Sequence, residues 1–369
     1  MSNIPMTNDQ KHLKFFNSYK DEQEICSFYN KINVLILGAG SWGTALAIAS
    51  SKKNSTCMWS RNIDQANNML LCRENKAYLP GIKFNDNLKI TNNINHALEF
   101  ILSDNTQPLI IIGVPVSGVS EICSLLLKYS NYLSSINIPV IWTCKGFENK
   151  TSNLIHEIIQ RDLISSKFTH GILSGPSFAH EVALNLPTAL TIASNSSNLC
   201  NITIDALHNN KLRIYSSKDV VGVEVGGALK NIISIACGIS DGLNLGCNAR
   251  AALITRGLFE IKRFGLALGS ISETFYGLSG LGDLVLTSTS NLSRNRNIGI
   301  KIGNGFPVEE LLNSKITVEG VRCALSVRKR ARKMNLNLPI TEAVCSILFE
   351  QKKPLDAVKI LLDRDPGQE

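Results

Sequence analysis

The run Gly38-Ala39-Gly40-Ser41-Trp42-Gly43 fits G-x-G-x-x-G, a spacing that can cradle a pyrophosphate. In such a run the first glycine makes a tight turn, the second lets backbone approach the phosphates, and the third allows helix to pack closely on strand. The flanks suit that work. Residues 34–37 are an apolar run fit for a strand buried on both faces, and residues 44–49 are small helix formers with no breaker. Unpaired N–H groups and the dipole at the helix start then attract phosphate. The pattern predicts dinucleotide binding; its competitor is an ordinary flexible turn after a buried strand.

Other candidates carry charge. Arg61 follows the strand-like STCMWS run, at the place where an acidic residue would meet the ribose hydroxyls of NAD; a cation there favours a 2′-phosphate and so NADP(H), unless it is a plain surface arginine. Lys145 ends a strand at residues 139–143, the end where parallel sheets gather ligands, although a lysine beside glycine is also an ordinary loop residue. Further on, VVGVEVGGALKNIISIACGI (residues 220–239) is long and apolar, yet it holds Gly222, Gly226, Gly227 and Gly238. Each interior glycine costs about 0.5–1 kcal/mol relative to alanine, which points to close approach. Gly226 with Lys230, and Gly227 with Asn231, share helix faces, so a lysine and an amide emerge beside bare backbone. Tight helix packing with a solvated lysine is the alternative.

The elements that must position these groups alternate. Strand runs are expected at 55–60, 88–91, 109–114, 139–143, 172–174, 188–193 and 212–215, with helical spacing at 119–129, which predicts parallel strands between helices. Beyond Asp219 the pattern turns helical, and a domain boundary is expected near residue 218. The division is then 1–30 as an N-terminal tail, 31–218 as the nucleotide domain and 219–369 as a helical domain. A chain of 369 residues suits two domains.

Composition narrows the classes. With 44% hydrophobic and 18% charged residues the chain reads as an ordinary globular enzyme, not a disordered one. Its ten cysteines form no C-x-x-C and no metal-like pairing with the six histidines, so no metal site is expected and the thiols suit a reducing compartment. Formal charge is +8, but the densest basic run, Arg328 to Lys333, lacks interleaved aromatics and reads as a solvated helix face, not a nucleic-acid site. Residues 1–30 carry neither the apolar core of a signal peptide nor the acid-poor character of a transit peptide, and no window reaches an uninterrupted apolar span; a cytoplasmic protein with no integral membrane segment is expected.

Several motifs, in order, are similar to one family. They are Gly38 to Ala45 (GAGSWGTA), Lys145-Gly146-Phe147-Glu148, Leu173 to Ala179 (LSGPSFA), Val223 to Asn231 (VEVGGALKN), Asp241-Gly242-Leu243, Asn248 to Gly257 (NARAALITRG), Gly277 to Leu284 (GLSGLGDL) and Ser293-Arg294-Asn295. Together they resemble the bacterial-type NAD(P)-dependent glycerol-3-phosphate dehydrogenases, from Ile32 to the final helices. The resemblance implies an α/β fold, with an N-terminal Rossmann-type dinucleotide-binding domain followed by an all-helical substrate domain. The implied reaction is reversible hydride transfer between NAD(P)H and dihydroxyacetone phosphate, giving sn-glycerol 3-phosphate for glycerophospholipid synthesis. A homodimer is also implied.

By motif position, the resemblance makes Lys230 the catalytic lysine and puts Lys145, Gly175, Ser177, Asp283, Ser293, Arg294 and Asn295 with it around the substrate. Gly38, Gly40, Ser41, Trp42, Gly43, Arg61, Lys145, Ala179, Arg294 and Glu319 would meet the cofactor, NADP(H) being favoured and NAD(H) allowed. The chemistry of these residues fits such roles. Hydride delivery to a ketone leaves an alkoxide, which an ammonium can stabilise and protonate. Arginine's fork, with the amide of Asn295 and the hydroxyl of Ser293, suits phosphate, though Ser-Arg-Asn is equally a polar turn. Nearby cations should depress the pKa of Lys230 while Asp283 opposes them, and Asp283 either orients the lysine or simply caps a helix start. Ser279 and Cys323 stand where alanine and threonine are usual in the family. The rival readings are a dehydrogenase of another small acid and a non-catalytic NADP(H) sensor.

Overall fold

Val34 to Leu37 are at most 1% exposed, as an apolar strand with neighbours on both sides and helices on both faces must be. They belong to β1 (Ile32–Leu37), an interior strand of an eight-stranded sheet. A computed structural model describes residues 31–103, 106–129, 137–164, 168–313 and 319–363; the expected tail, residues 1–30, lies outside the described residues. The other strands are β2 (Ser55–Trp59), β3 (Leu88–Thr91), β4 (Gln107–Ile112), β5 (Ile138–Trp142), β6 (Phe168–Ser174), β7 (Thr188–Ala193) and β8 (Leu212–Ser217). Between them run α1 (Ser41–Ser50), α2 (Ile63–Cys72), α3 (Ile94–Ile101), α4 (Val119–Tyr129), α5 (Ile155–Asp162), α6 (Ala179–Ala183) and α7 (Ser197–Leu207).

The spatial order is β3-β2-β1-β4-β5-β6-β7-β8. Strand order reverses between β1 and β4, which opens a crevice beyond their carboxyl ends, where such sheets bind ligands. Two glycine turns meet there: Gly38 N–H donates to Trp59 O at 3.0 Å and Gly113 N–H to Leu37 O at 2.9 Å. The expectation of parallel strands throughout needs one correction, because β7 pairs antiparallel with β6 and β8 then follows β7 in parallel. The link from Gly175 to Pro187 holds only the five-residue α6 and turns the chain back instead of carrying it across.

Beyond β8 the described chain is helical: α8 (Val220–Gly242), α9 (Gly246–Ala267), α10 (Asp283–Thr289), α11 (Arg294–Gly303), α12 (Val308–Asn313), α13 (Glu319–Lys333), α14 (Pro339–Phe349) and α15 (Pro354–Leu362). Asp219 starts α8, its carboxylate accepting from Gly222 N–H at 2.8 Å and Thr274 Oγ at 2.6 Å. In length and apolarity α8 could cross a membrane, but 89% of its most apolar window is buried inside the protein, making it the core helix of this domain.

The glycines of α8 do two jobs. A Cβ on Gly238 would lie 2.0 Å from Arg296 O and one on Gly242 2.4 Å from Ile300 O; on α11, Gly299 faces Ile235 O at 2.2 Å and Gly303 faces Ile239 O at 2.5 Å. The two helices touch backbone to backbone. Earlier in α8, Gly226 admits Ser279 O at 2.5 Å, while Gly227 leaves room for Ser174 and the stem of Lys145. The basic run on α13 is only partly the solvated face expected. Arg328 bonds Glu350 at 2.5 Å and Arg332 bonds Glu342 at 3.0 Å, while Arg330 turns toward α5, because successive residues of a helix point in different directions.

Candidate active site

At the crevice, β1 enters Gly38 at φ +122°, a conformation that L side chains rarely adopt. Gly43 packs against the same turn: a Cβ there would sit 2.1 Å from Gly38 O, so a side chain would force the turn apart. Gly40 differs, since a Cβ on it would meet nothing within 4 Å, leaving open space above the turn. Gly40 also caps α1 with no side chain, and no acidic residue occupies the first turn, so the helix presents bare N–H groups to that space. This is the cradle a pyrophosphate needs.

Two residues that the sequence did not single out brace the turn. Gln65 Nε2 and Asn75 Nδ2 both donate to Ala39 O, at 2.7 and 2.9 Å. Ser41 Oγ donates to Tyr78 O at 2.7 Å, and Trp42 and Ala179, half-buried, pack on the sheet core. Arg61 stands exposed just past β2, where its guanidinium meets Glu121 of α4 at 3.2 Å. That carboxylate was not anticipated, because α4 follows β4 and is distant in sequence.

The second cluster joins three separate stretches. Asp283, 1% exposed at the start of α10, takes Lys230 Nζ on Oδ1 at 2.5 Å and Lys145 Nζ on Oδ2 at 2.6 Å. Among the described residues the carboxylate is held by these side chains, not by the backbone N–H groups of a helix start. Lys230 also donates to Thr287 Oγ1 at 2.8 Å, and Thr287 donates to Asp283 O at 2.7 Å. Thr287 was missed; its i+4 spacing from Asp283 was the available signal. Burial of Lys230 draws its pKa down to about 8, with Asp283 opposing and the charge of Lys145 reinforcing the fall. The dominant cause is desolvation, not the neighbouring cations expected from sequence.

Gly175, at φ +139°, turns its carbonyl toward the cluster, where it accepts from Lys145 Nζ at 3.3 Å and Ser177 Oγ at 3.1 Å. Asn295 Nδ2 donates to Asn231 Oδ1 at 2.9 Å, which ties the start of α11 to the residue after Lys230. Ser174 Oγ and Asn231 Nδ2 are buried without a hydrogen-bond partner among the described residues. Ser293 is buried and its hydroxyl oxygen accepts Arg296 N–H at 3.2 Å, capping α11, so only its hydroxyl proton remains to grip a phosphate. Arg294 is exposed at the first position of that helix, whereas its neighbour Arg296 is buried on Asp241 at 2.8 Å. Glu319 is half-buried, and burial raises its pKa against the pull of Arg294, Lys145, Lys230 and Arg322. One carboxylate therefore feels the candidate cations of three elements.

A glycine cradle at the switch point of a Rossmann-type sheet, together with a buried lysine on the first helix of a helical domain, defines a nucleotide-dependent oxidoreductase. Family models for the N-terminus and the C-terminus of NAD-dependent glycerol-3-phosphate dehydrogenase match residues 33–200 and 219–359. The chain belongs to the NAD-dependent glycerol-3-phosphate dehydrogenase family. It is 45% identical over 345 residues to the glycerol-3-phosphate dehydrogenase [NAD(P)+] of Polynucleobacter asymbioticus, covering 91% of this chain and 99% of that one. Identity is also 45%, over 340 residues, with the enzyme of that name from Herminiimonas arsenicoxydans, covering 92% and 99%. The crystal structure of glycerol-3-phosphate dehydrogenase (gpsA) from Coxiella burnetii superposes with a TM-score of 0.82 at 40% identity, over 90% of this chain and 99% of that one.

Proposed function

We infer that the chain is a glycerol-3-phosphate dehydrogenase, interconverting dihydroxyacetone phosphate and sn-glycerol 3-phosphate with NAD(P)H and feeding glycerophospholipid synthesis. The observation that carries the residue assignment is the carboxylate of Asp283 held between the amines of Lys145 and Lys230. When bound, NAD(P)H supplies the hydride; Gly38, Gly40 and Gly43, with the start of α1, would hold its pyrophosphate, and Arg61 a 2′-phosphate.

Lys230 is the proton donor in this reading. Its amine, with a pKa near ambient pH, serves as acid toward the nascent alkoxide and as base in the reverse direction. Asp283 and Thr287 fix where that amine points. Lys145, Ser177, Arg294 and Asn295 supply charge and hydrogen-bond donors for the phosphorylated end of the substrate. Glu319 and Ala179 border the cofactor.

The two domains divide near residue 218, between the end of β8 and the Asp219 cap of α8. A cytoplasmic location suits the nine cysteines of the described residues, all of them free thiols. A homodimer is the assembly we expect. A steady-state assay tests the function: NADPH or NADH should be oxidised with dihydroxyacetone phosphate but not with unphosphorylated dihydroxyacetone. Equal turnover of both ketones would remove the phosphate from the reading.

A further inference from the structure

Lys145 lies in a loop with no regular structure, between β5 and α5, yet its amine must reach across to Asp283. The loop is tied to the helical domain at several points. Phe147 and Leu154 are buried in the core of that domain, Phe147 meeting Phe264 of α9 edge-on at 6.0 Å. At the loop's far end, Glu157 accepts Leu154 N–H at 2.6 Å and so closes the start of α5. The same carboxylate is gripped from α13 by both Arg330 nitrogens, at 2.6 and 2.7 Å, while Arg330 Nη1 also donates to Ser152 O at 3.1 Å. Next to it, His156 N–H donates to Glu224 of α8 at 3.0 Å, and its ring Nδ1 bonds the second oxygen of that buried carboxylate.

We propose that Arg330 and Glu157 are a positioning pair for the reaction: their two-pronged bond at the start of α5 holds the preceding loop, residues 143–154, so that the Lys145 amine stays on Asp283. This rests on the functional reading above. Glu224, six residues before Lys230 on one continuous helix, sets the loop against the same rod that carries the proton donor, roughly 9 Å along its axis. The grip has the fork-on-carboxylate form that gives direction as well as attraction, and it is largely shielded, with Arg330 20% and Glu157 28% exposed. Among the described residues neither Arg330 nor Glu157 hydrogen-bonds to Lys145 or Lys230, so each acts through the loop.

A double-mutant cycle tests this. The kcat/KM for dihydroxyacetone phosphate is measured at saturating NADPH in wild type, Arg330→Met, Lys145→Met and the double variant, with thermal midpoints recorded for each. Arg330→Met should lower kcat/KM about tenfold, since a displacement near 1 Å can cost up to about 10²-fold, and Arg330→Lys should recover part of the loss. In the Lys145→Met background the same change should cost less than about twofold, because the group it positions has gone. Equal losses in both backgrounds, or no loss from Arg330→Met alone, would overturn the proposal. Should Arg330→Met fail to fold, Glu157→Gln takes its place in the cycle, keeping a bond to Leu154 N–H while discarding the charge that Arg330 grips. A wild-type enzyme silent with dihydroxyacetone phosphate would sink the functional reading, whereas an active one with additive losses sinks the positioning role alone.

Discussion

Lys145 and Lys230 each bond one oxygen of a single buried carboxylate, although 85 residues separate them in the chain (230 − 145). The arrangement keeps two ammonium groups close together in a poorly solvated place. It also makes the protonation of one depend on the position of the other.

Loss of the Lys230 amine should cripple chemistry. Lys230→Ala is expected to lower kcat by about 10²-fold or more, the usual worth of a general acid. With its pKa drawn down to about 8, the amine is protonated below that pH and neutral above it. Ketone reduction uses the protonated form, so its kcat/KM should fall as pH rises through about 8, while that of alcohol oxidation should rise over the same window. Lys145→Met removes a cation that depresses Lys230 and leaves Asp283 to it alone, so the limb should move to higher pH. Profiles of kcat/KM against pH for both enzymes would show it; a downward move contradicts the shared carboxylate.

Asp283→Asn keeps the shape of the site and removes the charge between the two amines. Breaking a buried pair by removing one partner costs about 3–5 kcal/mol, so the urea midpoint should fall. Turnover should fall too, by roughly 10²-fold, because Lys230 loses the group that orients it. Lower stability with unchanged kcat would reduce Asp283 to a structural carboxylate.

Two glycines of the nucleotide turn should answer differently to alanine. Gly43→Ala drives a methyl to 2.1 Å from Gly38 O, so it should lower the thermal midpoint and weaken nucleotide binding together. At Gly40 a methyl meets nothing within 4 Å, so Gly40→Ala should keep the midpoint within a degree or two while raising the Kd for NADPH by about tenfold, the methyl standing where backbone must approach the pyrophosphate. Calorimetric titration and thermal melts on both variants separate the cases. Unchanged affinity in Gly40→Ala would move the phosphates elsewhere.

Arg61 should set cofactor choice against the drag of Glu121. Arg61→Ser is expected to raise the Kd of NADP+ by about tenfold with little change for NAD+, since a paired phosphate contact is worth roughly 1–3 kcal/mol. Glu121→Gln should act the other way and more weakly, tightening NADP+ a few-fold, because an exposed ion pair at 3.2 Å holds the guanidinium by about 0–1 kcal/mol. Direct titration with each nucleotide reads both effects. Equal changes for the two nucleotides would take Arg61 out of the 2′-phosphate site.

Much of this molecule was legible in its amino acids where a local rule governs. The strand runs around Val34–Leu37 and Thr188–Ala193 show their apolar character directly, and the glycines of α8 announced close approach before any partner was known. What escaped depends on chain reversal or on distance. The antiparallel entry of β7 follows from a short return loop, and strand composition is blind to direction. Thr287, Gln65, Asn75 and Glu121 are common polar residues whose meaning comes from what the fold sets beside them. Likewise the desolvation of Lys230 is a property of the packed helices around it, not of its neighbours in sequence.

The glycines along α8 and α11 press one main chain on another, with carbonyls where side chains would otherwise stand. Main chains have no rotamers to exchange, so the gap between these helices cannot be tuned by swapping one apolar residue for a slightly larger one. The span from Lys230 to the head of α11 is therefore a fixed gauge. An evolving enzyme that needed to accept a longer or bulkier ketone would have to remodel the loops at Lys145 and Gly175, since this pair of rods leaves it no room to stretch.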